Sequence, residues 1–258
     1  MNRIQGKNII ITGASSGIGQ ACAVKCASYK ANLILAARRF DRLIALKEEL
    51  EGKNGISVSI HRLDVRSKTD VEKFSEEIKA GGFHPNVLIN NAGLAVGLDK
   101  LHEGKADDWD RMIETNIKGL LYVSRAIIPI MVSKNRGHIV NVGSIAGYQV
   151  YPAGNVYNAT KFAVRALSEG MNIDLAGTDI RVSCINPGAV NTEFSEVRFY
   201  GDRHRADKVY DGYTPLTADD IADAILYIIN TPEHVNVQNL TVTPTAQRNV
   251  YCVDRRSG

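Results

Sequence analysis

No stretch of this 258-residue sequence is long and apolar enough to cross a bilayer comfortably as a helix. The most apolar long run, GLLYVSRAIIPIMV, is interrupted by Arg125 and Pro129 and reads as a buried helix. At the N-terminus, MNRIQGKNIIITG enters a strand almost at once, without an apolar segment and small-residue cleavage site, so nothing directs export. Basic residues form no stripe: the net charge is +3 with signs intermixed, which implies neither nucleic acid nor an anionic membrane as partner, and only the short tail VDRRSG is basic. Cysteine is scarce. Cys22, Cys26, Cys184 and Cys252 are scattered through a chain that can build a core without staples, so reduced thiols and a cytoplasmic location are expected. Cys22 and Cys26 share a helix face, but no further ligand stands nearby to complete a four-ligand site, and the six His residues show no ligand spacing; no catalytic metal is expected. There is no linker, internal repeat or low-complexity tract, and one domain over residues 1–258 is the expectation.

What is present is a rhythm. Short β-branched runs (KNIIITG, NLILAA, ISVSIH, NVLINNAG, GHIVNVGS, IRVSCINPG, NLTVTP) imply seven strands, several of them continuously apolar as in a sheet covered on both faces. Helical patterns near 17–29, 40–52, 68–80, 107–134, 153–177 and 217–230 lie between them. The fold class is therefore α/β, a doubly wound, mostly parallel Rossmann-type sheet of seven strands with helices on both faces. Ligands of such sheets bind beyond the carboxyl ends of the strands, and here those ends are rich in glycine and polar side chains.

TGASSGIG leaves the first strand and opens a helix. Gly13, Gly17 and Gly19 let the backbone turn tightly and approach a pyrophosphate, met by main-chain N–H groups and the helix N-terminus around Ser16 and Ile18; a Gly-rich turn without a ligand is the plain alternative. The second strand ends in AARRFDR, where a protein that binds NAD places an acid for the ribose 2′-hydroxyl. Arg38 and Arg39 stand there instead and favour a 2′-phosphate, with Ser15 as an added contact, so the coenzyme expected is NADP(H). Asp41 could still reach a ribose, but is read as the N-cap of the helix RLIALKEEL.

Tyr157 and Lys161, in NVYNATK, lie four residues apart at the start of a helix, on one face of it. Alone they read as a surface pair. Ser144 follows the fifth strand thirteen residues before Tyr157, so the three can converge. The set TGASSGIG, NNAG, Asn116 within ETNIKG, Ser144 and Tyr-x-x-x-Lys, in this order, resembles the short-chain dehydrogenase/reductase family over nearly the whole chain. The resemblance implies an oxidoreductase acting on CH–OH groups. Tyr157 would be the general acid/base, its pKa lowered by Lys161 and the coenzyme's positive charge. Lys161 would also hold the nicotinamide ribose, Ser144 would steady the substrate oxygen, and Asn116 would anchor a water in the proton path. It further implies that Asp64, with Val65, meets the adenine and that Asn90, Ala92 and Gly93 line the adenosine side. Pro187, Gly188, Val190 and Thr192 would complete the coenzyme site, and assembly would be a homotetramer built on the two long helices.

After NPG, residues of about 188–215 are expected to form a lid carrying Arg198, Arg203, His204 and Arg205, which could recognise a carboxylate or simply be solvated. NNAGLAVGLDK, GNVYNATKFAVR, TEFSEVRFYGD and PLTADDIADAI resemble the NADP-dependent 3-hydroxy acid dehydrogenases, including serine and L-allo-threonine dehydrogenases. This implies a small hydroxy acid substrate, or the matching carbonyl, with Gln149, Tyr151, Asn155 and Arg198 shaping the pocket. A broad carbonyl or 3-oxoacyl reductase, and a silent NADP(H)-binding sensor, are the alternatives.

Overall fold

The computed structural model describes residues 1–255; the Arg256 end of the basic tail lies outside the described residues. Seven strands form one sheet: β1 (Asn8–Thr12), β2 (Asn32–Ala37), β3 (Val58–Arg62), β4 (Val87–Asn90), β5 (Gly137–Val142), β6 (Ile180–Pro187) and β7 (Asn239–Val242). Every pairing is parallel, in the order β3-β2-β1-β4-β5-β6-β7. The order reverses between β1 and β4, so the loops after these two strands diverge and open a crevice.

Alternation along β1 shows why the strands read as unbroken apolar runs. Ile9 and Ile11 face one core with α1 (Gly17–Ser28), α2 (Phe40–Asn54) and α9 (Ala218–Ile229). Ile10 faces the other, with α3 (Lys68–Ala80) and α5 (Leu120–Val132). Both faces exclude water, which gives a central parallel sheet its driving force.

The expected helix over 107–134 is α4 (Ala106–Ile113) followed by α5, joined by a π turn over Glu114–Gly119. That turn shifts the hydrogen-bond ladder at Asn116, a distortion common at functional sites. The helix of Tyr157 is α6 (Asn155–Asp174). Two short helices, α7 (Glu193–Arg198) and α8 (Arg203–Lys208), lie in the segment expected to be a lid.

Asp41 does not cap α2. The cap position is two residues earlier, at Arg39, and the helix starts at Phe40, which packs on the core and under the Arg62 guanidinium. Asp41 instead lies in the first turn, where a carboxylate favours the helix dipole.

Candidate active site

At the foot of the crevice the ends of β1 and β4 are tied by polar bonds. Thr12 Oγ1 accepts the main-chain N–H groups of Asn91 and Ala92, each at 3.1 Å, and Asn91 Nδ2 donates to the Thr12 carbonyl at 2.9 Å. A side chain on the phosphate loop would not fit: a Cβ at Gly13 would stand 2.9 Å from Asn91 Nδ2, and one at Gly19 2.5 Å from the Gly13 carbonyl oxygen. Gly13 and Gly17 also take positive φ, 66° and 53°, which favours glycine. The first turn of α1 carries no acidic residue, so its N-terminal N–H groups face a cleft free of local negative charge on that helix. This cradle fits a dinucleotide pyrophosphate.

Along one continuous cleft lie Gly13, Ser15, Ser16, Gly17 and Ile18 of the loop, Arg38 and Arg39 after β2, and Asp64 and Val65 after β3. Ala92, Gly93, Ser144, Tyr157 and Lys161 line it further along, with Pro187, Gly188, Val190 and Thr192 on the far wall. Gly19 sits behind the loop, packed on Gly13 and Asn91. Arg39 donates to Ser15 Oγ at 3.3 Å and to Ser16 Oγ, so the cation is seated on the phosphate loop. Asp64 accepts a two-point bond from Arg66, which holds its carboxyl below the ordinary range and leaves it an acceptor at neutral pH.

Asn90 is not on the cleft wall. Its side chain turns into the interior, donating to Ser124 Oγ at 3.0 Å and Asn141 Oδ1 at 2.9 Å, while its neighbour Asn91 takes the wall position. Asn90 is the last residue of β4, whereas Asn91 lies past the strand, where its N–H turns back to the Ile89 carbonyl at 3.0 Å. Asn116 is buried with both amide atoms engaged, accepting from Leu94 N at 2.9 Å and donating to Leu94 O at 2.8 Å and to Thr160 Oγ1 at 3.0 Å. The π turn thus fixes the strand end that carries Gly93.

Ser144, Tyr157 and Lys161 come together as their spacing predicts. Tyr157 and Lys161 are buried, and Ser144, beside them on the cleft wall, accepts from Ala146 N at 3.1 Å and donates to the Pro187 carbonyl at 3.4 Å. Lys161 Nζ donates to the Val142 carbonyl at 2.8 Å and lies 5.9 Å from the Tyr157 ring centroid. Burial pushes its pKa down to about 8. The phenol moves the other way from the expectation: burial raises its pKa, opposed by the Arg198 cation. Desolvation of the anion outweighs that attraction, so the residues alone keep Tyr157 protonated.

Arg198, at the C-terminal end of α7, places its guanidinium carbon 5.4 Å from the Tyr157 ring centroid and 5.3 Å from that of Tyr151, whose hydroxyl accepts a bond from it. Asn155 joins Arg198 and Tyr157 in a small recess beside the cleft, its Nδ2 donating to the Asp99 carbonyl at 3.0 Å. The other lid cations do not come in. Arg203 pairs with Glu196 at 3.6 Å, Arg205 lies over Phe199, and Arg203, His204 and Arg205 are all exposed. Gln149 also faces away, its Oε1 accepting from Val250 N of the C-terminal segment at 3.4 Å. Glu193, Phe194 and Val197 of α7 line the cleft without having been singled out in the sequence; Glu193 pairs with Arg39 across 154 positions, a separation no local pattern reveals.

Among the described residues, no group of His, Cys, Asp and Glu side chains gathers that could hold a metal ion, and no helix is long and apolar enough to cross a membrane. The family model for short chain dehydrogenase matches residues 7–201. An NADP-dependent 3-hydroxy acid dehydrogenase of Salmonella typhi is 44% identical over 240 residues, 93% of this chain and 95% of that protein. A sulfoacetaldehyde reductase of Chromohalobacter salexigens is 43% identical over 240 residues, covering 93% and 94%. A closed form of serine dehydrogenase complexed with NADP+ superposes with a TM-score of 0.90 at 40% identity, over 97% of this chain and 100% of that one. The fold, the placement of the Ser-Tyr-Lys set and these matches agree: the chain belongs to the short-chain dehydrogenase family.

Proposed function

We propose that this protein is an NADP(H)-dependent oxidoreductase that interconverts the 3-hydroxyl of a small 3-hydroxy acid and the matching carbonyl, with Tyr157 as general acid/base. L-Serine, L-allo-threonine, 3-hydroxyisobutyrate and 3-hydroxypropionate are the substrates in view. The observation that carries the acid specificity is Arg198, whose guanidinium faces Tyr157 from the lid helix and can meet a carboxylate beside the reacting carbon.

Gly13, Gly17 and Gly19 with the start of α1 would hold the pyrophosphate, and Ser15, Arg38 and Arg39 the 2′-phosphate. Asp64 and Val65 would take the adenine, Ala92 and Gly93 the adenosine side, and Lys161 the nicotinamide ribose. When bound, the nicotinamide accepts or supplies the hydride. The chain's own residues handle the proton. Tyr157, kept protonated by its surroundings, is set to donate to a carbonyl oxygen, and Ser144 on the same wall would hydrogen-bond that oxygen as its charge develops. For oxidation the phenol must first lose its proton to solvent, a step that the Arg198 cation assists. Segment 188–215 serves as the lid, bringing Arg198 to the site.

The same reading includes a cytoplasmic enzyme, consistent with the buried free thiols Cys22, Cys26 and Cys184. It also includes a homotetramer, supported by the exposed apolar residues Leu121 and Val132 on α5 and Phe162 and Ile173 on α6. The sulfoacetaldehyde reductase relative favours a second reading, reduction of a small sulfonate-bearing aldehyde, which Arg198 would serve equally. Initial rates with NADP and NAD across the four hydroxy acids, a simple secondary alcohol and, with NADPH, sulfoacetaldehyde test both. The proposal requires NADP-dependent turnover of at least one hydroxy acid; turnover of the plain alcohol alone would discard acid specificity.

A further inference from the structure

The helix that presents Arg198 at one end presents Glu193 at the other, and Glu193 reaches across the mouth of the cleft. Its Oε2 accepts from Arg39 Nη1 at 2.7 Å and its Oε1 from Arg42 Nη1 at 2.7 Å. Arg39 simultaneously donates from Nε to Ser15 Oγ and from Nη2 to Ser16 Oγ, so each of its nitrogens is engaged. The start of α7 is fixed against the phosphate loop: Thr192 caps the helix by accepting from Phe194 N at 3.3 Å, and its Cβ stands 3.4 Å from the position of a Cβ on Gly17.

We propose that Glu193 is a specificity-determining residue whose carboxylate occupies Arg39 as an internal anion and must leave it when the coenzyme's 2′-phosphate enters. This inference rests on the NADP(H) reading of the cleft. Burial opposes ionisation of Glu193, yet the hydrogen bonds from Arg42 and Arg39 hold its carboxyl below the ordinary range, so the competitor is charged at neutral pH. A phosphate presents more charge and three acceptor oxygens, and so prevails over one carboxylate oxygen at Arg39. Arg42 lies outside the cleft lining and can retain Glu193 after the exchange. Binding of a 2′-phosphorylated dinucleotide is thereby weakened relative to what Arg38 and Arg39 alone would give, whereas a dinucleotide without that phosphate leaves the pair undisturbed.

Both partners are about half exposed, at 45% for the Arg39 side chain and 40% for that of Glu193. Such pairs are individually weak and only the Arg39 pair is broken on entry, so removal of the carboxylate corresponds to a gain of up to about fivefold. Equilibrium titration of the wild-type protein and Glu193→Gln with NADPH and NADH, followed by coenzyme fluorescence without substrate, measures this. NADPH should bind roughly threefold to fivefold more tightly to the variant, with NADH within about twofold, which also reports an intact site. Unchanged or weaker NADPH binding, or a gain shared equally by NADH, overturns the proposal. If the wild-type protein prefers NADPH but the variant gains nothing, only the role of Glu193 falls. If neither protein distinguishes the coenzymes, the NADP(H) reading falls with it.

Discussion

Arg198 lies with its guanidinium carbon 5.4 Å from the centroid of the Tyr157 ring while bonding the hydroxyl of Tyr151. Two aromatic faces hold one cation in place, and the proposed proton carrier and the proposed carboxylate receptor become a single unit.

Replacing the cation but keeping a flexible side chain separates the two roles. Arg198→Met should lower kcat/KM for 3-hydroxy acids by about 10- to 100-fold, the loss of one charge-assisted contact, chiefly through KM. A simple secondary alcohol should be affected far less. Steady-state rates on both substrates check this, and an equal loss on both would remove Arg198 from acid recognition.

Lys161 makes a prediction about stability. Its folded-state pKa is pushed from 10.5 down to about 8 by burial, so between those values the unfolded chain holds the extra proton. Stability conferred at this position therefore rises as pH increases through about 8 toward 10.5. The buried ammonium costs about 3 kcal/mol at pH 7 relative to an apolar side chain of similar shape. Lys161→Met should thus be the more stable protein at pH 7, with the gap closing by pH 10. Urea unfolding of both proteins at several pH values measures it; a gap that does not change with pH would show that the ammonium is not desolvated.

The same substitution at two glycines should have opposite signs. A Cβ at Gly19 would stand 2.5 Å from both Asn91 Nδ2 and the Gly13 carbonyl, so Gly19→Ala should cost about 1–3 kcal/mol and weaken NADPH binding. Gly52, exposed in the last turn of α2, meets nothing within 4 Å. Gly52→Ala should stabilise by about 0.5–1 kcal/mol through helix propensity. Thermal unfolding of the two variants gives the comparison.

The parts legible in the sequence are those that depend on neighbours along the chain. The strands followed from β-branched apolar runs, the phosphate loop from TGASSGIG between a strand and a helix, and the convergence of Ser144, Tyr157 and Lys161 from strand-end and helical spacing. What escaped depends on direction and on distant partners. Asn90 and Asn91 are adjacent and chemically identical, and only the end of β4 between them, where the chain turns, sends one inward and the other to the cleft. Of the lid cations, the helical turn of α7 aims Arg198 at Tyr157, while Arg203 is taken by Glu196 one helix away. The π turn at Asn116 arises from packing against Leu94 and Thr160, and Glu193 acquires its partners only when α7 folds over β2's end.

The central claim is that Tyr157 transfers the proton. Its most direct test is NADP reduction by Tyr157→Phe, with whichever hydroxy acid the wild-type protein turns over, beside NADPH titration of the same preparation. Loss of the acid/base should reduce turnover by about 100- to 10,000-fold, with NADPH affinity within about twofold of wild type. Turnover near the wild-type rate would contradict the assignment of Tyr157 as proton carrier.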